Sequence, residues 1–532
     1  MKRHWSKLLG AGMIAAVLLT ACNDDNVPAG EAARGLTYAT AKDINDINPH
    51  LYAGSMPAQG MVFESLVENT EAGIQPLLAE SWDISEDGKV YTFRLRQGVT
   101  FHDGEPFNAE AAKRNIEAVQ SNAAKHAWIK LSAKIADVRA IDEYTLALVL
   151  SEPYYPTLLE LSMTRPYVFL SPRDLIDGES KNGVDGYHGT GPYRLAEHKA
   201  DRYAIFEAND EYWGGAPKLD TITAKVLPAG ETTYLALRSG EVDFVFTDDR
   251  GADGIDADAM QSLADSGDYR LTRSKPMNTK MIVANSGNSA SPVSEKAVRE
   301  AIWHAIDRGA IAERIMGGAE TPAETLFSPN VNYADVPLEP RAFDSDKANK
   351  LLEEAGWKHE NGKKSRSRDG KALAAKLYYD SNSPSQKTQA EFIQSSLSTI
   401  GMELALVGEE SASIANRRAS GDYELLFNQT WGLAYDPQST IAAFTSEAAY
   451  LHTTEGIPDA QALYRNIERV MVTMDEAERR SLYADILETV HDEAVFIPLT
   501  NGGVTIVAPA NLQGVAFKQT QFELPFERMY YE

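Results

Sequence analysis

The sequence predicts an α/β protein built on mixed sheets and divided into at least two lobes. Strand-like and helix-like patterns alternate from about residue 36 to the C-terminus, as in chains that pack helices against sheets. A mature chain of about 510 residues also exceeds what one hydrophobic core supports. Beyond residue 22, no apolar run approaches the ~20 residues of a membrane-spanning helix. No internal repeat is visible.

The N-terminus begins with Lys2, Arg3 and Lys7, continues through the apolar run Leu8–Leu19, and reaches small residues before Cys22. This is the pattern of an export signal, and Leu19-Thr20-Ala21-Cys22 resembles the lipobox of bacterial lipoproteins. Residues 1–22 are therefore expected to be a lipoprotein signal with Cys22 as the lipidated residue, and 23–34 a polar tether. Expected location is the cell surface or periplasm, anchored to the membrane. Cys22 is the only cysteine, which excludes disulfides within the chain and thiolate metal sites. A formal net charge of −26 disfavours nucleic acid as a partner and makes any local cationic pocket informative.

Along the chain, LTYATAKDINDINPH, residues 36–50, alternates as a strand and then breaks at Asn48-Pro49. Residues 81–119 read as two strands with turns at Asp87-Gly88 and Asp103-Gly104, then a helix capped by Asn108, whose short polar side chain accepts from orphan N–H groups. Residues 293–316 have helical spacing with Ser294 as the expected cap, and Phe343–Gly356 holds another helix that stops at its glycine. The stretch NQTWGLAYDPQST, Asn428–Thr440, sets Trp431 and Tyr435 in a loop broken by Gly432 and Pro437. Rings on a loop either fold back into the core or face a ligand.

Five motifs in order then identify a scaffold: RLRQGVTFHDGEPF, GTGPY at Gly189–Tyr193, NDEYWG at Asn209–Gly214, LRSGEVDF at Leu237–Phe244 and FIPLT at Phe496–Thr500. Together they resemble the extracellular solute-binding proteins of the dipeptide, oligopeptide and nickel uptake family. The resemblance implies a two-lobed clamp with the ligand in the cleft, the first lobe being made from both ends of the chain. The expected division is 35–275 with 504–532 for lobe I and 276–503 for lobe II. It also implies a monomeric binding protein, not an enzyme, that serves the permease of an ABC importer. The absence of HExxH, GxSxG and GxxxxGK[ST] patterns agrees with this.

INPHLYAGSMPAQGM, KHAWIKLSAKIADV, MTRPYVFLSP and TWGLAYDP look closer to the nickel-binding branch, and KVLPAGET, FVFTDDRGAD, RSKPMNTKM, RRASGDY and FNQTWGLAYDPQSTIAAF resemble the staphylopine-binding lipoproteins. The implied ligand is a nickel, cobalt or zinc ion chelated by an opine metallophore. The alternatives are a peptide or another nickel chelate. The implied ligand-binding residues are Met56, Trp128, Arg165, Arg418, Asn428, Trp431 and Tyr435, with Arg417 the alternative to Arg418. Guanidinium suits a carboxylate-rich ligand because it is permanently charged and donates two parallel hydrogen bonds. Arg165, standing before Pro166, is biased toward extended backbone, and Arg418 stands before a turn expected at Ser420-Gly421. Trp128 also has a core reading through its spacing to Leu131. Nickel-binding relatives place a histidine near Ala448-Ala449, where this chain has none. His452 and His126 are the remaining candidates for direct metal ligation.

Overall fold

The computed structural model describes residues 34–532 apart from 53, 229, 248–254, 256, 360–361 and 363, with the side chain of 257 also outside the description. The export signal, Cys22 and the tether as far as residue 33 lie outside the described residues. Among those described, no helix is long and apolar enough to cross a membrane.

The strands form two groups of sheets. In the first, Gly35–Thr40 pairs parallel with Thr221–Val226, which continues antiparallel to Tyr203–Ala208 and Tyr193–Lys199. Beside it, Thr505–Pro509 lies between Val245–Thr247 and Tyr269–Arg273. A separate antiparallel sheet is ordered Ala79–Ile84, Val90–Leu95, Thr145–Leu150 and Ile135–Asp142. The second group is a six-stranded mixed sheet ordered Thr321–Pro322, Phe496–Gly502, Asn278–Ala284, Leu425–Gln429, Ala374–Asp380 and Glu403–Glu409. The result is the mixed α/β architecture that the alternation of patterns predicts.

The chain passes between the groups twice, through 274–277 and back through 503–504. These crossings are bonded to each other: Ser274 N donates to Val504 O at 2.9 Å, and Met277 N donates to Gly502 O at 2.7 Å. Gly503 is required by this closeness, since a Cβ there would stand 2.4 Å from Ser274 Oγ and 2.9 Å from Lys275 O.

Local chemistry sets several boundaries. Asn108 caps helix Ala109–Gln120 by accepting from Ala111 N at 2.9 Å, and Gly88, at φ 69°, makes the turn between Ala79–Ile84 and Val90–Leu95. The expected cap at Ser294 is corrected. Ser291 and Pro292 start a short 3₁₀ turn, Ser294 closes it by donating to Ser291 O, and helix Lys296–Ala305 starts after Glu295. The periodicity read across 293–316 also breaks at Ile306, where Asp307 caps a new turn through Ala310 N. Helix Ser345–Glu354 is capped by Asp344, and Gly356 follows at φ 87°.

One apolar cluster fills the first group around Tyr38, Phe206, Phe244 and Phe526, and another the second around Ile302, Trp303, Leu377 and Ile497. A third joins the groups, running from Phe93, Leu148 and Tyr154 to Val283, Tyr435, Phe444 and Tyr483. Above it lies the cavity described next.

Candidate functional site

One wall begins with the buried Asn48, whose amide donates to Ser180 O at 2.9 Å and whose carbonyl receives His50 N at 3.0 Å. The loop held in this way presents Tyr52 and leads to Met56 at the start of helix Met56–Val62. Arg165 Nη1 donates to Gly54 O at 3.1 Å, and its guanidinium stands 5.3 Å from the centre of the Tyr52 ring. Trp128 completes this wall, 5.6 Å from Tyr52 between ring centres.

The facing wall comes from the six-stranded sheet. Strand Leu425–Gln429 ends at Asn428 and Gln429, the following loop carries Thr430, Trp431 and Tyr435, and Ala449 and Tyr450 stand beside it. Gly432 has φ 101°, and a Cβ on it would meet Gln521 Oε1 at 2.3 Å. Gln521 fills that space and donates to Trp431 O at 3.1 Å. With Phe522 it brings the C-terminal segment to the cavity.

These residues enclose about 450 Å³, a volume suited to a small solute. The structure brings together Met56, Trp128, Arg165, Arg418, Asn428, Trp431 and Tyr435 of the residues singled out from sequence. The two readings of the loop rings each hold in part: Tyr435 is 6% exposed and belongs to the core, whereas Trp431 is 38% exposed. Trp128 and Trp431 stack on one another at 5.4 Å and 22°. Trp128 lies in a turn ahead of helix Lys130–Lys134, with Ile129 and Leu131 taking the core positions.

Arg418 occupies the last turn of helix Ser411–Ser420, ahead of the turn made by Gly421 at φ 71°. Its Nε donates to Ala448 O at 3.3 Å, and among the described residues it has no carboxylate partner. Arg417 faces elsewhere and does not line the cavity. It pairs with Glu409 at 2.7 Å and Asp422 at 2.6 Å and lies 4.6 Å from the Tyr378 ring centre, and it holds the Glu409 carboxyl down to about 2.

Neither histidine lines the cavity. His126 is fully buried behind Tyr52, whose hydroxyl is 2.6 Å from its Nδ1, and burial pushes its pKa down to about 4. His452 Nδ1 is 2.7 Å from Glu455 Oε1, with its ring against Gly421. The described lining holds no Asp, Glu, His or Cys, and no cluster of three such residues placed to hold a metal occurs among the described residues. The Asn428 amide nitrogen is buried and makes no hydrogen bond among the described residues. Sequence reasoning missed Tyr52, Gln429, Thr430, Tyr450, Gln521 and Phe522, while Ala449 lines the cavity at the place where nickel-binding relatives are expected to carry a histidine. Tyr52 carried a signal, lying in the same quoted loop as Met56; Gln521 and Phe522 carried none beyond the expectation that the chain's last residues rejoin the first lobe.

Residues 73–451 match the family described as bacterial extracellular solute-binding proteins, family 5. The chain belongs to that family. It is 36% identical over 498 residues to the nickel-binding periplasmic protein of Escherichia coli K12, covering 93% of this chain and 94% of that one. The dipeptide-binding protein of the same organism is 26% identical, covering 88% and 89%. NikA from Brucella suis, solved in complex with Fe(III)-EDTA, superposes with a TM-score of 0.90 at 36% identity, covering 94% of this chain and all of that one. The family 5 protein is thus a two-lobed solute-binding component of an ABC importer and not an enzyme. Members of the family hand their solute to permease subunits.

Two buried carboxylates flank the rings of the family 5 site. Burial raises Glu160 to about 7 and Asp436 to about 6. A carboxyl raised above its unfolded value contributes stability that is full below the unfolded pKa and is lost as pH rises through the folded one. For Glu160 that window runs from 4.5 to about 7. His50, His102 and His126, all pushed down to about 4 by burial, lose stability over much of the same range as pH falls, so the wild-type curve is flattened. The difference from a neutral variant carries the sign. Glu160→Gln is expected to gain on wild type by on the order of 3 kcal/mol between about pH 4.5 and pH 8, as checked by denaturant melts across pH; a constant difference contradicts this.

Proposed function

We propose that this protein captures a divalent metal ion, nickel, cobalt or zinc, already enclosed in an opine metallophore, and delivers the whole complex to its permease. The observation that carries this reading is the cavity lining: guanidinium groups on opposite walls, aromatic rings between them, and no carboxylate, imidazole or thiolate among the described lining residues. An opine metallophore supplies carboxylates, amines and an imidazole, enough for an octahedral shell, so the protein need not donate a ligand. What remains to be recognised is the outside of an acidic chelate. Fe(III)-EDTA in the Brucella suis relative is likewise a metal wrapped in carboxylates, and it supports a cavity that accepts a complete complex.

In this reading Arg165 and Arg418 clamp the ligand carboxylates from the two lobes. Asn428 donates its spare amide hydrogen, Met56 supplies apolar contact, and Trp128, Trp431 and Tyr435 wall the flat faces of the chelate. Lobe I comprises 35–275 and 504–532, lobe II comprises 276–503, and the crossings 274–277 and 503–504 form the hinge. Closure brings the two cations to one ligand that carries the opposite charge. Cys22 anchors the monomeric protein by lipid at the cell surface or in the periplasm.

In calorimetry, the protein lacking residues 1–22 is expected to bind a preformed nickel–opine complex far more tightly than free nickel or free opine. Equal affinity for bare nickel contradicts the reading, and tight binding of peptides with none of the complex would assign the cavity to a peptide. Arg165→Ala and Arg418→Ala are each expected to weaken binding of the complex by roughly 2–4 kcal/mol, because each leaves a desolvated ligand carboxylate unpaired. Arg417→Ala, at a position turned away from the cavity, is expected to leave binding unchanged. Wild-type affinity in both clamp variants overturns the assignment.

A further inference from the structure

The facing indoles of Trp128 and Trp431 belong to two segments with the same construction. Each is followed by a five-residue helix, Lys130–Lys134 or Gln438–Ala442, and neither helix has a side-chain cap from its own N-cap residue. Each segment is instead tied by a buried carboxylate. Glu160, 3% exposed on helix Thr157–Leu161, accepts from Leu131 N at 2.8 Å through one oxygen and from the Tyr154 hydroxyl at 2.6 Å through the other. Asp436, 5% exposed, accepts from Gly432 N at 2.9 Å and from the Thr440 hydroxyl at 2.5 Å, while its own N–H donates to Gly432 O at 2.9 Å. Trp431 directly precedes Gly432, and Tyr435 directly precedes Asp436.

We infer that Glu160 and Asp436 are a matched pair of positioning residues, one under each wall, that hold Trp128 and Trp431 face to face. Each carboxylate satisfies a backbone N–H that its short helix or loop leaves without a partner, and an unsatisfied buried donor is costly enough to reorganise a turn. Because the anchors lie on different walls, losing either one tilts one ring against the other. Neither carboxylate touches the ligand; each acts through the backbone that carries a ring.

The stacked indoles offer a readout independent of any ligand, the exciton couplet of a face-to-face tryptophan pair in far-ultraviolet circular dichroism. Glu160→Met and Asp436→Leu, which keep bulk and remove the acceptor, are expected to lose most of the couplet, as Trp128→Phe does. Glu160→Gln and Asp436→Asn keep an acceptor for the backbone N–H, and the partner hydroxyl can turn to accept, so both are expected to retain it. Glu64→Met serves as the control, since Glu64 is a buried carboxylate whose side chain bonds to Thr190, Tyr212 and Trp213 and to neither segment that carries the paired rings. It is expected to lower Tm and leave the couplet intact. Should an apolar variant fail to fold, Tyr154→Phe or Thr440→Val removes one hydroxyl partner and is expected to reduce the amplitude. A wild-type couplet in Glu160→Met and Asp436→Leu, or in their milder substitutes, overturns the inference, as does an equal loss in Glu64→Met. With Fe(III)-EDTA as the probe, the variants that lose the couplet are expected to bind at least tenfold more weakly. This arm rests on the reading of the cavity as the solute site. A lost couplet with unchanged probe binding upholds the pair as positioning residues and removes the rings from the ligand contacts, whereas an intact couplet overturns the pair whatever the probe does.

Discussion

A chain that crosses twice between two sheet systems holds side chains from both against one cavity. The crossings 274–277 and 503–504 are bonded to each other, and Gly503 lets them approach. Tyr52, Trp128 and Arg165 arrive from one side, Asn428, Trp431 and Arg418 from the other, and Gln521 and Phe522 return from the C-terminal segment. No single element supplies the site.

Charge is distributed against the general surface. The chain carries −26, yet the charged residues lining the cavity are arginines. The adjacent pair Arg417 and Arg418 shows how this arises. Consecutive residues on a helix point about 100° apart, so one guanidinium turns to Glu409 and Asp422 while the other meets Ala448 O at the cavity. A neutralised arginine stiffens its helix; the other keeps its charge available.

Legibility from sequence followed the range of the interaction. The Asn108 cap and the turn at Asp87-Gly88 depend on neighbours within a few residues and were readable. The Ser294 cap was misplaced because Ser291-Pro292 offers a competing turn three residues earlier, and the helix yields to it. The seven cavity residues that were legible, half of the described lining, came from the motifs of the family resemblance and not from periodicity, since a loop such as Asn428–Thr440 has no repeating pattern to read. The choice between Arg417 and Arg418 could not be made without the rotation of their helix. Gln521, Phe522 and Glu160 escaped because each acts across a fold contact with no local signature, Asp436 bonds only within its own segment but in a loop with no repeating pattern to read, and His126 proved to be a buried partner of Tyr52.

The central claim is that the cavity reads the outside of a complete chelate and not the metal within it. If so, ions of one charge and similar size look alike to the protein, and selectivity follows the chelator along the Irving–Williams order. The most direct measurement is a set of titrations with one opine loaded in turn with nickel, cobalt and zinc, on wild type and on His452→Ala. Affinities within about tenfold, or roughly 1.4 kcal/mol, with the same ranking in the variant, are the predicted result. A preference for nickel of about a hundredfold or more, roughly 2.7 kcal/mol, that disappears in His452→Ala would show that the protein completes the metal shell and would contradict the account.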